Sequence, residues 1–223
     1  MPINKWFNLN KNRQKIIIVG AGSLGLMTAD IVKVNEAFSN MSVAVADDNI
    51  QRHGDTVLDF PIIGSIDEVA ELGKREESKF VLAIANNKVR KRIAQNHFDL
   101  DYINVIHPRA SVSKFSSIGK GNIILPNVSI DPDAVIEDHV IVNKNASIGH
   151  NGVLRSFSQV CPGVSLGGTI CEGAFLGLNA TVLPYKKVGE NTIVGAGSVV
   201  IKDLPANCTA VGSPAFPIKY HKE

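Results

Sequence analysis

The chain has 223 residues, 44% of them hydrophobic, which is enough apolar material to fill a packed core and excludes disorder as the dominant state. Its 23 Lys and Arg against 21 Asp and Glu give a formal charge of +2 with no long block of one sign, so nothing points to nucleic acid or an anionic membrane as partner. Cys161, Cys171 and Cys208 are odd in number and lack CxxC spacing, which argues against a disulfide framework and a zinc site and leaves a reducing cytoplasm as the default compartment.

Residues 1–14 are polar with scattered Lys and Arg, and they lack the continuous apolar segment of a signal peptide or membrane anchor. They read as a flexible leader. Lys15 to Val19 is a β-branched run of the kind expected of a strand buried on both faces. It is followed by Gly20-Ala-Gly-Ser-Leu-Gly25 and a helical segment to about Glu36. A second strand from Met41 to Ala46 ends in Asp47-Asp48, and Phe80 to Ile84 reads as another, with helical stretches at 66–72 and 87–95. This alternation predicts a small parallel, Rossmann-like α/β domain over residues 15–106.

The glycine run fits GxGxxG after a strand and opening a helix, so backbone at Gly20, Gly22 and Ser23 is a candidate cradle for a diphosphate. Asp47 and Asp48, at the end of the second strand, are placed to accept from a ribose or base. An NAD-binding domain fits these facts equally well by themselves.

Beyond residue 107 the pattern changes. Stepping by six from Val112 meets Ile118, Ile124, Ile130, Ile136, Val142, Ile148, Leu154, Val160 and Leu166. The register then slips by four, and steps of six resume at Ile170, Leu176, Val182, Val188, Val194 and Val200. Four residues after each aliphatic position the chain is often small, as at Ala134, Ala146, Ser158 and Ala180, which suits a tight turn. A period of six is neither a helical stripe nor a two-residue strand alternation, and its Gly and Pro would break helices. The physical solution is a solenoid of three-sided coils, aliphatic residues inward, stacked about 4.8 Å apart by parallel-strand hydrogen bonds. About five coils fit. The second domain therefore spans 107–223 as an all-β parallel β-helix with a C-terminal tail.

The repeat, closing with Leu204-Pro-Ala-Asn-Cys-Thr-Ala-Val-Gly-Ser-Pro-Ala215, resembles the left-handed β-helix, hexapeptide-repeat acyltransferases. Joined to the glycine-rich unit, and to Phe60-Pro-Ile-Ile-Gly64, Ala83-Ile-Ala-Asn-Asn87 with Arg90, Ile106-His-Pro-Arg-Ala110 and Gly195-Ala-Gly-Ser198, it resembles the NeuD/PglD-like family of bacterial sugar O-/N-acetyltransferases. The resemblance covers nearly the whole chain. It implies a homotrimer with acetyl-CoA as co-substrate in a cleft between neighbouring β-helices, a nucleotide-sugar partner and direct acyl transfer; with the composition, this leaves a cytoplasmic protein for which neither membrane insertion nor a metal is expected.

Carried over by position, the resemblance makes His150 in Ile148-Gly-His-Asn-Gly152 the general base. An imidazole, ordinarily titrating near pH ~6.5, can take the proton of an attacking amine or hydroxyl. Asn151 stands where a carboxylate is common, and it can orient the ring without supplying negative charge; Glu137 or Asp138 is the alternative source of a carboxylate. Gln159 occupies the place of a second histidine near the thioester, and Asn143 matches a site-lining asparagine. Gly168, Gly177, Gly195 and Gly197 are the acetyl-CoA candidates, because glycines allow close approach of the pantetheine arm and leave N–H groups free for the thioester oxygen. Leu24 replaces a histidine that the family's nucleotide-sugar binders use. The implied activity is N-acetylation of a nucleotide-linked 4-amino-4,6-dideoxyhexose for surface glycans. O-acetylation of sialic acid or another capsule sugar is the alternative enzyme reading, and a catalytically weak sugar-nucleotide-binding trimer the alternative of another class.

Overall fold

In the computed structural model, which describes residues 1–221, the first of two units runs to Pro108. In chain order it carries α1 (Ile3–Leu9), β1 (Lys15–Val19), α2 (Ser23–Val34), β2 (Ser42–Ala46), β3 (Thr56–Val57), β4 (Phe60–Gly64), α3 (Ile66–Arg75), β5 (Lys79–Leu82), α4 (Asn87–Asn96) and β6 (Asp101–Tyr102). The sheet order is β3-β4-β2-β1-β5-β6, parallel except for the β3–β4 hairpin. The Rossmann-like expectation holds. All five residues of β1 are buried because parallel partners flank it on both edges and its faces are covered, which is why its sequence is an unbroken apolar run after Lys15. From β1 the chain winds to one side through β2 and β4, and then to the other through β5. The carboxyl ends of β1 and β5 thus frame the switch point where α/β sheets bind ligands.

Two features were not anticipated. Residues 1–14, expected to be a flexible leader, contain α1, and Trp6 and Phe7 are buried against each other edge to face, 5.0 Å between centroids. Ile3, Trp6 and Phe7 recur at i, i+3 and i+4, a helical stripe too short to stand out in a polar segment. Phe60–Gly64 is a strand of the sheet and not only a motif.

The second unit begins at Arg109 and is a left-handed parallel β-helix. Its first face stacks Ser111–Val112, Ser129–Ile130, Ser147–Ile148, Ser165–Leu166, Thr181–Val182 and Val199–Val200. The second stacks Ser117–Ile118, Val135–Ile136, Val153–Leu154, Thr169–Ile170 and Lys187–Val188, and the third includes Ile123–Ile124, Ile141–Val142, Gln159–Val160, Phe175–Leu176 and Ile193–Val194. The predicted aliphatics line the interior: Ile124, Ile148, Leu154, Val160, Ile170, Leu176, Val188, Val194 and Val200 are fully buried.

The small residues at the fourth place have a different cause from the one expected. Ala134, Ala146, Ser158, Ala174 and Ala180 are buried at 0–1% exposure, so they are small because they point into the narrow corners of the prism. The turns themselves rest on the preceding residue, which adopts a left-handed conformation (φ +52° to +62°) at Asn127, Asp133, His139, Asn145, Asn151, Phe157, Asn179, Tyr185 and Asn191. After glycine, which fills this place at Gly121, Gly163, Gly173 and Gly197, Asn and Asp tolerate that region best, which accounts for their recurrence here.

Candidate active site

The glycine turn of the first unit is closed from both sides. The Asp47 carboxylate accepts from the N–H groups of Ala21 (2.7 Å) and Asn49 (2.9 Å), and Arg52 donates to the Ala21 carbonyl (2.6 Å). Asp48 accepts from the Ile66 N–H at the start of α3. Both aspartates assigned to ribose or base thus already hold backbone. Arg52 carries no signal in the sequence and is met only here. The three glycines differ in cause. Gly20 has φ +106° and a Cβ there would meet Ile84 and Ala83, while a Cβ on Gly25 would stand 2.0 Å from the Gly20 carbonyl oxygen. At Gly22 a Cβ would meet nothing within 4 Å, so nothing in the unit's own packing requires a glycine there. Space of this kind lets a phosphate approach the backbone at a helix start.

Beside that turn, Arg90 is fully buried and donates to the carbonyls of Ile84 (2.7 Å) and Ala85 (3.4 Å) and to Asn87 Oδ1 (2.9 Å). Burial pulls its guanidinium down to about 9. It fixes the loop after β5 that forms the other lip of the switch-point crevice.

In the second unit His150 and Asn151 sit exposed on the turn between Ser147–Ile148 and Val153–Leu154, at the edge where the first and second faces meet. Asn151 Nδ2 lies 2.9 Å from His150 Nδ1. In that orientation the amide donates to Nδ1 and the ring proton resides on Nε2; a half-turn of the amide presents Oδ1, moves the proton to Nδ1 and frees the Nε2 lone pair. Asn151 has φ +59°, so the turn itself favours Asn here. Neither Glu137 nor Asp138 supplies the carboxylate considered for this ring. They lie on the edge between the second and third faces, where Glu137 binds Arg155 and Ser156 and Asp138 accepts from the Lys120 N–H. Two residues at the end of one edge of a triangular section cannot reach a turn at the next.

Gln159 lies on the third face, opposite the His150 edge, and Asn143 opens the turn between the third and first faces. Within one chain these residues do not converge with His150. Gln159 is 93% buried and its Oε1 finds no hydrogen-bond partner among the described residues.

Three of the four glycines expected to offer free N–H groups do not. Gly177, Gly195 and Gly197 donate to the carbonyls of Val194, Ala210 and Leu178 at 2.7–2.8 Å, so the coil ladder already engages them. Packing explains most of their identities. A Cβ would lie 2.6 Å from the Ala196 nitrogen at Gly177, 2.1 Å from the Lys186 oxygen at Gly168 and 2.8 Å from Val211 at Gly195; Gly197 has φ +66° and faces open space. Cys161 and Cys171 are buried and burial raises both thiols, which argues against nucleophilic roles. Among the described residues no three His, Cys, Asp or Glu side chains gather where a metal could bind, and no helix is long and apolar enough to cross a membrane.

Residues 15–97 match the family model described as the PglD N-terminal domain. A GDP-perosamine N-acetyltransferase of Escherichia coli is 28% identical over 215 residues, spanning 91% of this chain and 95% of its own. The acetyltransferase domain of PglB from Neisseria gonorrhoeae, in complex with acetyl coenzyme A, superposes with a TM-score of 0.84 at 29% identity, covering 93% of this chain and 100% of that one. A histidine-to-alanine mutant of GDP-perosamine N-acetyltransferase from Caulobacter crescentus, in complex with CoA and GDP-perosamine, matches with a TM-score of 0.77 at 30% identity, over 92% of this chain and 97% of its own. Serine acetyltransferases match over shorter stretches, and this chain spans only 42% of the length of the one from Synechococcus elongatus.

Proposed function

Because this chain belongs to the NeuD/PglD-like family of bacterial sugar O-/N-acetyltransferases, we propose that it is a cytoplasmic homotrimeric N-acetyltransferase that moves the acetyl group of acetyl-CoA onto the amine of a nucleotide-linked 4-amino-4,6-dideoxyhexose. The observation that carries the reading is the His150 turn, an exposed imidazole held through Nδ1 by Asn151. In the reaction the sugar amine attacks the thioester carbonyl, an N–C bond forms and the C–S bond breaks. His150 Nε2 takes the amine proton and returns it to the departing thiolate. Asn151 serves by presenting Oδ1 to Nδ1–H, which keeps Nε2 as the acceptor.

The spread of the candidates over two edges and the third face of one coil stack supports the trimer. An assembly in which the His150 edge of one subunit faces Asn143 and the third face of its neighbour would bring these candidates together. The space at Gly22, with Ser23 at the start of α2, supports nucleotide diphosphate binding in the first unit. Three free, buried cysteines fit a reducing compartment.

The test is incubation with acetyl-CoA and a panel of UDP-, dTDP- and GDP-linked 4-amino sugars, beside free and CMP-linked sialic acid, while following free thiol. Turnover with a 4-amino sugar is expected, and turnover with sialic acid alone, or with nothing, rejects the proposal. His150→Ala should lower turnover at least ~100-fold with CoA binding kept. Near-normal activity would remove His150 from its role.

A further inference from the structure

The register slip is located by the pairing of the coils. Ile148 pairs with Leu166 and Leu166 with Val182; Leu154 pairs with Ile170 and Ile170 with Val188. Ladder bonds place Gly167 in line with Gly149 and Leu183, and Gly168 in line with Gly152 and Lys186: Gly149 and Val153 donate to Leu166 and Gly168, and Gly167 and Thr169 donate to Val182 and Lys186. The short turn therefore lacks the two residues that would have stacked over His150 and Asn151. Their counterparts two layers on are Pro184 and Tyr185.

This leaves a slot one layer high, about 4.8 Å by the coil spacing. His150 and Asn151 form one side, Pro184 and Tyr185 the other, and the floor is Gly167-Gly168, which send no side chain into it. Tyr185 is 83% exposed and sits at φ +62°. Its column also holds Phe115, Asp133 and Asn151, of which Asp133 and Asn151 share the left-handed backbone and are types that tolerate it, whereas a tyrosine there is strained while its ring stays largely in solvent.

We infer that this slot seats the hexose ring of the acceptor, with Tyr185 as a stacking wall and specificity-determining residue; the inference rests on His150 as the base. A pyranose presents an apolar C–H face that an aromatic ring covers well, and a sugar lying on Tyr185 brings its ring substituents within one layer of His150. The missing turn makes the room.

Two variants test this with GDP- and dTDP-linked 4-amino-4,6-dideoxyhexose, by saturation-transfer NMR on the hexose protons and by kinetics. Tyr185→Gly suits the left-handed turn, so the melting temperature should hold or rise, while acceptor Kd and KM rise about tenfold with acetyl-CoA KM and assembly mass unchanged. Inserting Asn-Ala between Gly168 and Thr169 restores the six-residue step, refills the layer and should abolish hexose saturation transfer without unfolding the coil. Unchanged acceptor binding in both variants overturns the inference. A rise in acetyl-CoA KM instead assigns the slot to the donor, and a lower assembly mass for Tyr185→Gly makes Tyr185 a subunit contact; either also overturns it. Wild-type turnover tells the two readings apart. If the wild type acetylates the sugar and the variants match it, the slot alone is rejected, and if it neither binds nor acetylates the sugar, both readings fall.

Discussion

Asn151 combines a backbone role and a side-chain role that substitution can separate. Its φ of +59° is a conformation that glycine adopts freely and alanine adopts at a cost of roughly 1–2 kcal/mol. Its amide lies 2.9 Å from His150 Nδ1 in an exposed position, where a hydrogen bond contributes about 0.5–1.5 kcal/mol. If that bond sets the tautomer in the transition state, losing it slows turnover by roughly 2- to 12-fold. Asn151→Gly should therefore keep the melting temperature and lose that factor in kcat. Asn151→Ala should lose the same factor and also about 1–2 kcal/mol of stability. Asn151→Asp, which offers only acceptors to Nδ1–H and tolerates the turn, should match or exceed the wild-type rate. Initial rates of thiol release at saturating substrates, with thermal melts on the same preparations, give both quantities. Full activity in Asn151→Gly would show that the residue serves the turn alone and would refute the orienting role.

Two further outcomes follow from packing and charge. Ile148 is fully buried in the ladder with Ile130 and Leu166 beneath the His150 turn, so Ile148→Ala should cost about 2–5 kcal/mol by chemical denaturation; a cost under about 1 kcal/mol would mean the interior is not close-packed there. At Glu137 burial works to raise the carboxyl, but hydrogen bonds from Arg155 and Ser156 outweigh it and leave it below the ordinary value. A lowered carboxylate stabilises above its unfolded value and loses that contribution as pH falls through the folded one. Glu137→Gln should hence melt slightly below wild type at pH 7, by no more than about 1 kcal/mol because the pair is partly exposed, and the difference should close below about pH 4.

Much of this molecule was legible because its repeat forces each interior place to be filled separately. An aliphatic residue every sixth position, with one step of four, defines the faces, their pairing and the slip before any coordinate is seen. The strand Lys15–Val19 and its glycine turn were equally plain. Other features were hidden by being short or locally ambiguous. The stripe Ile3, Trp6, Phe7 is a single helical turn, and Phe60–Gly64 contains a proline that obscures a strand. Arg52 is one arginine among many until its contact with the Ala21 carbonyl is known.

By itself the sequence determined the solenoid and the presence of His150 on one of its turns, since inward-facing side chains must obey the coil's period whatever surrounds it. Only the tertiary structure decided what each residue at a turn is for. Asn at the third place answers a left-handed backbone, and small residues at the fourth answer a narrow corner. Gly177 and Gly195 answer the approach of the next coil, and their N–H groups belong to the ladder. The slip, a mere irregularity in one dimension, becomes a missing layer above His150 because only stacking determines which residues lie over which.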